Sequence, residues 1–260
     1  MDVNKLKVTV IGAGNVGFHL THALYEVGCN IVQIFSRNKN RFNDFAEHFT
    51  PCFTTNLAKL NTAVDVFVIA VSDDAIAKVA AQIPNNGAIV VHTSGAVPST
   101  VLKAHKRYGV FYPLQTFTRN QTVDFEALPF CIDANEAAAQ QLLMQLAHKL
   151  SNKVYAINDQ QRAALHVAAV FVNNFTNHLL AIGEQLTQIH GVPFAVLQPL
   201  INETFAKIQN QSPAKVQTGP AKRGDRATLA QHKALLNDMP YYKAIYELLS
   251  NSIIQHNSEH

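Results

Sequence analysis

Three glycines near the start of the chain could form a phosphate-binding turn. Gly12, Gly14 and Gly17 have the spacing G-x-G-x-x-G and directly follow the β-branched run Lys7–Ile11. At this spacing the first glycine permits a tight strand-to-helix turn, the second lets the backbone approach a pyrophosphate, and the third lets the helix pack closely on the strand. Amides at the start of that helix favour negative charge. Because a helical pattern over 15–27 follows, the motif predicts a dinucleotide site rather than an ordinary turn.

The residues after the second predicted strand favour NADP(H) over NAD(H). Sites for NAD usually end this strand with a carboxylate that binds the ribose hydroxyls, whereas this chain has Ser36 and Arg37, with Arg41 one turn further on. A guanidinium and a hydroxyl suit a 2′-phosphate; alternatively, Arg37 only starts a solvated helix. FAD is disfavoured because FAD enzymes usually need a second large insertion, which is absent. The predicted cofactor-contacting residues are Gly12, Ala13, Gly14, Asn15, Val16, Gly17, Ser36, Arg37, Val71 and Ser72.

Polar residues follow two further apolar strands, at the sheet edge where ligands gather. Val71 and Ser72 would border the cofactor, although Ser72 is also a natural cap for a helix over 73–82. His92 and Ser94 would lie beside the nicotinamide, where hydride transfer to a carbonyl or imine needs a proton donor. The alternative is a loop in which His92 bonds only to backbone.

Two more clusters could contact a substrate. The Tyr112 hydroxyl, Gln115 and Thr116 come at the end of the next strand, although aromatic residues there more often serve packing. Paired glycines and basic residues in Gln217–Asp225, within a polar loop over 211–225, suit a carboxylate or phosphate, with a solvated loop as the alternative. Asp225 is the expected N-cap of the helix that follows.

A polar stripe runs along the most apolar predicted helix. At 100° per residue, His166, Val170, Asn173 and Asn177 share one face of a helix that ends near His190. Buried amides and imidazoles must find partners, so the stripe faces either a ligand cleft or another helix. The predicted catalytic residues are His92, Ser94, His166 and Asn173.

Composition narrows the class of protein. The 260 residues are 48% hydrophobic and 15% charged, which describes a globular chain. A formal net charge of +3 without a long Lys/Arg run argues against nucleic acid as a partner. The three cysteines form no C-x-x-C pair and the twelve histidines are dispersed, so we expect no metal, no disulfide framework and a reducing compartment.

The cytoplasm is the expected location. A nucleotide-binding strand begins almost at once, so we expect no signal peptide. The stretch 163–182 is apolar enough to suggest a membrane span, but it carries His166, Asn173, Asn174 and His178, which are costly in lipid. We therefore expect no membrane association.

The elements that position these residues change type midway along the chain. Strands and helices alternate over the first 155 or so residues, and the near-continuous apolar strands indicate a doubly wound parallel sheet. Predicted strands are Lys7–Ile11, Ile31–Phe35, Val66–Val71, Ala88–His92, Gly109–Tyr112 and Pro129–Ile132, with helices near 15–27, 39–48, 73–82 and 135–149. Beyond residue 156 only helices are predicted, at about 159–190 with Asn158 or Asp159 as N-cap, 194–210, 226–237 and 240–255. The predicted domains are 1–155 and 156–260.

With these motifs in place, the chain resembles Rossmann-like oxidoreductases whose C-terminal part is the domain of unknown function DUF2520. The resemblance covers essentially the whole chain. It rests on the glycine motif together with His92–Ala96, Tyr112–Phe117, Leu165-His166 with Asn173-Asn174, Thr218–Pro220 and Arg223–Asp225. The family is similar in plan to pyrroline-5-carboxylate reductase, prephenate dehydrogenase and 6-phosphogluconate dehydrogenase. This similarity implies a helical C-terminal domain of the 6-phosphogluconate dehydrogenase type that closes the cleft and commonly builds a homodimer.

The resemblance and the motifs together predict an NADP(H)-dependent oxidoreductase acting on a small carbonyl or imine compound that carries a carboxylate. Family members often have His-Pro where this chain has Tyr112-Pro113, and the Lys–Asn pair of the hydroxyacid dehydrogenases is absent, with His166 and Asn173 as possible substitutes. These two departures favour the alternative, an NADP(H)-binding sensor or scaffold without turnover.

Overall fold

A computed structural model describes residues 5–46 and 51–258 of the chain. The chain divides into two compact units, residues 1–170 and 171–260. The sequence-based boundary near residue 156 lies one helix earlier than this division, and the assignment of domains to 1–155 and 156–260 stays a prediction.

One eight-stranded sheet forms the centre of the first unit. Its strands are β1 (Lys7–Ile11), β2 (Asn30–Phe35), β3 (Cys52–Thr54), β4 (Val66–Ile69), β5 (Ile89–His92), β6 (Arg107–Pro113), β7 (Phe130–Ala134) and β8 (Val154–Ala156). They lie in the order β3-β2-β1-β4-β5-β6-β7-β8. The order reverses between β1 and β4, so a crevice opens outside the carboxyl ends of these two strands.

The sheet is mixed, whereas the sequence predicts a parallel one. All described pairs are parallel except β6–β7, in which Phe111 lies opposite Ile132. A parallel return needs a crossover of a dozen or more residues, usually a helix. Residues 114–129 form no described helix, so the chain returns antiparallel. The predicted doubly wound α/β class is otherwise confirmed.

Helices cover both faces of the sheet. The helices of the first unit are α1 (Asn15–Glu26), α2 (Asn43–Ala46), α3 (Asp73–Ala80), α4 (Ala137–Leu150) and α5 (Asp159–Ala169). Leu20 and Leu24 of α1 pack with Leu143 of α4 in one buried cluster, whereas Ile76 and Val79 of α3 belong to a second cluster on the other face. Burial of each side chain of this size contributes about 1.5–3 kcal/mol.

The two short edge strands β3 and β8 are not predicted from the sequence, because three residues are too few to show an alternation of polar and apolar side chains. The helix predicted over 39–48 is instead a 3-10 turn over Lys39–Phe42 followed by α2, and residues 47–48 lie outside the described part of the chain. At α5, Asn158 is the N-cap: its side chain accepts from the Gln161 amide at 2.9 Å in a capping box. Asp159, the other predicted cap, bonds elsewhere.

The second unit is helical throughout its described residues. Its helices are α6 (Thr176–Ile189), α7 (Gln198–Asn210), α8 (Pro213–Val216), α9 (Pro220–Arg223), α10 (Arg226–Leu235) and α11 (Pro240–Ser258), with a 3-10 turn over Phe194–Leu197. The predicted loop over 211–225 therefore contains two short helices. The predicted cap is confirmed, because Asp225 accepts a hydrogen bond from the Thr228 amide at 3.1 Å.

The long predicted helix is confirmed, but it is not α-helical throughout. Between α5 and α6 lies a π-helical turn, Val170–Phe175, in which Thr176 Oγ1 donates to the carbonyl of Phe171. A π turn is wider than an α turn, so the assumption of 100° per residue that placed Asn173 on the stripe of His166 does not apply here. Among the described residues, Asp159–Ile189 is the one helix long and apolar enough to cross a membrane by length and composition.

Candidate functional site

The glycine turn between β1 and α1 has the geometry that its motif predicts. Gly12 has φ 122°, a conformation that favours glycine, and a Cβ there would meet the carbonyl of Ala70. A Cβ on Gly17 would meet the Gly12 carbonyl oxygen, so this glycine permits close packing of helix on turn. A Cβ on Gly14 would meet nothing within 4 Å. The space beside Gly14 is therefore open to a ligand that approaches the backbone, as a pyrophosphate requires.

A cleft of about 960 Å³ lies at the carboxyl ends of the strands. This volume is at the upper end of the usual range of about 300–1,000 Å³ for small-molecule sites. All its lining residues belong to the first unit. They are Gly12–Val16, Phe35–Asn38, Arg41, Ala70–Asp73, Thr93–Gly95, Gln115, Phe117 and His166. Of the ten predicted cofactor residues, Gly17 alone is not in this lining.

The end of β2 presents hydrogen-bonding and cationic groups to the cleft. Ser36 is buried, and its hydroxyl bonds to the backbone of Asn38. Arg37 is exposed and forms no ion pair within the described residues, whereas Arg41 lies 4.0 Å from Asp44. The exposed Arg37 guanidinium therefore remains available to an anion at this end of the cleft.

Ser72 lies where either of its two predicted roles would place it, and its contact with a cofactor stays a prediction. It occupies the N-cap position of α3, but its side chain makes no capping hydrogen bond. Instead Ser72 lines the cleft beside Val71 and Asp73. The hydroxyl is thus left for a ligand or solvent.

A segment after β6 is hydrogen-bonded to the glycine turn, and no local pattern in the sequence predicts this contact. Asn15 Nδ2 donates to the Phe117 carbonyl at 2.9 Å, and Arg119 Nη1 donates to the Ala13 carbonyl at 3.1 Å. Arg119 also pairs with Asp44 and stacks on the ring of Phe18, 4.3 Å from its centroid. These contacts bring Gln115 and Phe117 into the cleft lining.

His92 lies behind the cleft rather than in it. Its ring is fully buried, and Nδ1 accepts a hydrogen bond from the Ser94 amide at 3.2 Å. Burial, followed by the nearby Arg162 cation, lowers the pKa of His92 to about 4. The ring is therefore neutral at pH 7. Ser94 does line the cleft, and its hydroxyl accepts hydrogen bonds from the amides of Ala96 and Val97 at 3.1 and 3.0 Å.

A tyrosine just outside the cleft lining meets a histidine that belongs to it. Tyr112 Oη, at the end of β6, lies 3.5 Å from His166 Nδ1 on α5. Gly95, in the loop after β5, packs directly against both side chains, since a Cβ on Gly95 would approach His166 Nδ1 to 2.6 Å and Tyr112 Oη to 2.8 Å. Burial raises the pKa of Tyr112, and the Arg162 cation opposes that rise. The phenol is therefore protonated at neutral pH and available as a proton donor.

Thr116 belongs to the first unit but is not among the residues that line the cleft. Asn173 and the predicted anion loop lie in the second unit. Asn173 is exposed in the π-helical turn, and its predicted catalytic role stays a prediction. In the predicted anion loop, Gly219 and Gly224 have φ values of 106° and 67° and flank the short helix α9. An anion at this loop likewise stays a prediction.

Two families match separate parts of the chain. Residues 7–95 match the family described as NADP oxidoreductase, coenzyme F420-dependent, and residues 128–253 match the domain of unknown function DUF2520. A search of curated proteins found no match.

Solved structures match over nearly the whole chain. One is a Bacteroides fragilis protein described as a "putative NADP oxidoreductase", 37% identical with a TM-score of 0.87 over 98% of this chain and 100% of that one. An imine reductase from Myxococcus stipitatus in complex with NADP⁺ is 15% identical, with a TM-score of 0.64 over 97% and 93% of the two chains. A 1-pyrroline-5-carboxylate reductase from Streptococcus pyogenes is 11% identical, with a TM-score of 0.62 over 97% and 99%. The last two similarities show the fold alone.

Proposed function

Since the chain belongs to the family of Rossmann-like NAD(P)-dependent oxidoreductases with a C-terminal DUF2520 domain, we propose that it reduces a small carbonyl or imine compound that carries a carboxylate. The observation that supports this reaction is the protonated Tyr112 hydroxyl 3.5 Å from His166, which lines the dinucleotide cleft. Such a reduction needs a hydride donor and a proton donor in one place.

NADP(H) is the cofactor that we propose, and it supplies the hydride when bound. The glycine turn fits a pyrophosphate because the space beside Gly14 is open while Gly12 and Gly17 are fully packed. Arg37 and Ser36 would hold the 2′-phosphate by charge-assisted hydrogen bonds. Val71 and Ser72 would border the rest of the cofactor.

The chain's own contribution to the reaction is proton delivery. Tyr112 Oη donates its proton to the substrate oxygen or nitrogen as the neighbouring carbon accepts the hydride. His166 then returns a proton to the tyrosinate from solvent, because it is half-buried at the cleft and its Nδ1 faces the hydroxyl. Ser94 is a second hydroxyl at the lining, whereas neutral His92 orients the Ser94 loop. In this proposal His92 is a positioning residue rather than the donor.

A screen of NADPH oxidation tests the proposed function. The probes are 1-pyrroline-5-carboxylate, 1-pyrroline-2-carboxylate, pyruvate and glyoxylate, which vary the carbonyl or imine and keep the carboxylate. We expect at least one to be reduced, and we expect His166→Ala to lose this activity while it still binds NADPH. Failure of NADPH to bind at millimolar concentration contradicts the proposal. Tight NADPH binding without turnover of any probe supports the sensor alternative.

Replacing Arg37 by alanine is expected to weaken NADPH binding by about 10- to 100-fold, because a charge-assisted hydrogen bond contributes about 1.5–3 kcal/mol. NADH lacks the 2′-phosphate, so its dissociation constant is expected to stay within about twofold. Fluorescence titration of both cofactors measures the two effects. Lys39→Ala is the matched control, since Lys39 is also exposed and cationic but lies outside the cleft lining. Equal losses for both cofactors would contradict the assignment of Arg37.

We also propose a homodimer built by the second unit. Large apolar side chains are exposed there, including Val172 at 73%, Leu200 at 65% and Leu248 at 71%. Apolar exposure on this scale marks an interaction surface, and a second copy of the chain is the occupant we propose. Sedimentation equilibrium is expected to give a dimer, and Leu200→Asp with Leu248→Asp a monomer. A wild-type monomer at micromolar concentration would refute this assembly.

The cytoplasm is the proposed site of action. Cys29, Cys52 and Cys131 are all free thiols, which suits a reducing compartment. Within the described residues, no group of three or more His, Cys, Asp or Glu side chains could hold a metal ion. Cell fractionation tests the location, and recovery in the membrane fraction would contradict it.

A further inference from the structure

Arg162 is the largest fully buried side chain among the described residues, with 1% of its surface exposed. One guanidinium nitrogen, Nη2, donates to the Val97 carbonyl at 2.6 Å and to Asp159 Oδ1 at 2.7 Å. Nε and Nη1 have no hydrogen-bond partner within the described residues. A buried cation is costly unless it is paired and hydrogen-bonded. Only one of its three nitrogens is satisfied, so this arginine calls for an explanation beyond packing.

Asp159, the partner of Arg162, fastens helix α5 to the loop after β5. Its carboxylate accepts from the Ser99 amide at 2.9 and 3.0 Å and from the Ser99 hydroxyl at 2.9 Å. These bonds keep the pKa of Asp159 below its usual value, although burial opposes them. Asp159 is consequently ionised at neutral pH. Through Ser99 and Val97, the pair joins α5 to a single stretch of the loop.

The same loop carries Gly95, which packs against the Tyr112–His166 pair without room for a Cβ. Gly95 lies two residues before Val97, the carbonyl that Arg162 holds. Arg162 and His166 are four residues apart on α5, so both side chains project from the same side of the helix. The distance between loop and helix, and with it the position of His166 against Tyr112, is thus fixed one turn away by Arg162.

We propose that Arg162, held by Asp159 and the Val97 carbonyl, is a positioning residue that stabilises the tyrosinate formed when Tyr112 protonates the substrate. The inference rests on the proposed reductase function and adds a residue that the reaction requires. When the O–H bond of Tyr112 breaks, the proton goes to the substrate oxygen or nitrogen, and the negative charge stays on Tyr112 Oη. A buried cation whose Nε and Nη1 have no hydrogen-bond partner within the described residues stabilises that charge because little water screens it.

Charged and titratable groups face this region from several elements, and their signs support the assignment. Among these groups, the Arg162 cation lowers the pKa of Tyr112, whereas Cys131 and Asp73 raise it. The charge of Arg162 lowers the pKa of each titratable group that it faces. These groups are His92, Tyr112, Cys131, Asp133 and Asp159. His92 is neutral at pH 7, so it adds no second cation.

The test measures the acidity of Tyr112 directly, by NMR titration of protein labelled with ¹³Cζ-tyrosine. The chain has seven tyrosines, and Tyr112→Phe assigns the resonance. Arg162→Met is expected to raise the pKa of Tyr112 by about one unit, because a cation is removed from a buried site. Asp159→Asn leaves the cation less neutralised and is expected to lower it. The two variants therefore predict opposite signs, and Asp159→Asn carries the test if Arg162→Met does not fold.

Arg119→Met is the matched control, since Arg119 is also paired with an aspartate but lies beside the glycine turn. It is expected to leave the pKa of Tyr112 unchanged. For a probe that is turned over, Arg162→Met is expected to lower kcat about tenfold, because one pKa unit corresponds to a tenfold change. KM for NADPH is expected to stay unchanged. Arg162→Lys is expected to recover most of the lost kcat. An unchanged Tyr112 pKa in both the Arg162 and Asp159 variants overturns the inference. Shifted pKa values without turnover of any probe overturn the reductase proposal, and with it the role in catalysis.

Discussion

Replacing Tyr112 by phenylalanine is expected to lower kcat by about 10²- to 10⁴-fold, the usual contribution of a positioned proton donor. Only the hydroxyl is removed, so the ring still packs beside Gly95 and the cleft keeps its shape. The dissociation constant of NADPH is expected to stay within about twofold, because Tyr112 is not among the cleft residues predicted to hold the cofactor. Steady-state kinetics with any probe that is turned over, together with NADPH titration, measure both quantities.

Two further variants make the Tyr112 prediction specific. Tyr155→Phe removes a hydroxyl from a half-exposed tyrosine on β8, away from the cleft lining. It is expected to leave both kcat and the dissociation constant of NADPH unchanged. Tyr112→His is expected to restore part of the lost kcat, since imidazole is also a proton donor. If Tyr112→Phe retains a third or more of the wild-type kcat, Tyr112 is not the donor, and Ser94 becomes the first alternative.

Replacing Gly12 by alanine is expected to destabilise the fold by about 3 kcal/mol or more and to abolish NADPH binding. Two costs add here. A side chain at φ 122° is strained by about 1–3 kcal/mol, and overpacking against the Ala70 carbonyl costs a similar amount. Urea unfolding gives the stability, and fluorescence titration gives the affinity for NADPH.

Two glycines serve as controls for Gly12. Gly14→Ala is expected to leave stability within about 0.5 kcal/mol, because its backbone is extended and a Cβ meets nothing within 4 Å, yet to weaken NADPH binding at least tenfold by filling the space a pyrophosphate needs. Gly87 has φ 84° in open space, so Gly87→Ala isolates the strain, about 1–2 kcal/mol, from the clash. Equal stability losses at Gly12 and Gly14 would contradict the division of roles within the turn.

The local features of the site could be predicted from the sequence because local rules determine them. The positive φ of Gly12 follows from the G-x-G-x-x-G spacing, and nine of the ten predicted cofactor residues line the cleft. The cap at Asp225 and the long helix beginning at Asp159 follow from residue preferences over a few positions. In each case the responsible interactions join residues that are close in sequence.

The proton-delivery residues could be predicted only in part. The sequence indicates His92, Ser94 and His166 because each is a polar side chain that follows a strand or lies on a helix face. Burial then separates them: Ser94 and His166 line the cleft, while His92 is enclosed and neutral. The periodicity of a strand indicates where a strand ends, but it does not state how deeply the last residue is covered.

By itself, then, the sequence determined the order of the main helices and of six of the eight strands, the phosphate-binding turn and the dinucleotide cleft that follows from them. Tertiary structure alone decided which groups meet at the reacting end. Tyr112 and His166 are 54 residues apart, Arg162 and Val97 are 65 apart, and Arg119 and Ala13 are 106 apart. Such contacts depend on the order and register in which the strands pair, on the antiparallel return at β7 and on the seating of α5 against the loop after β5. No pattern within a few residues encodes these arrangements, since they arise only when all the strands have paired and the helices have packed on the sheet.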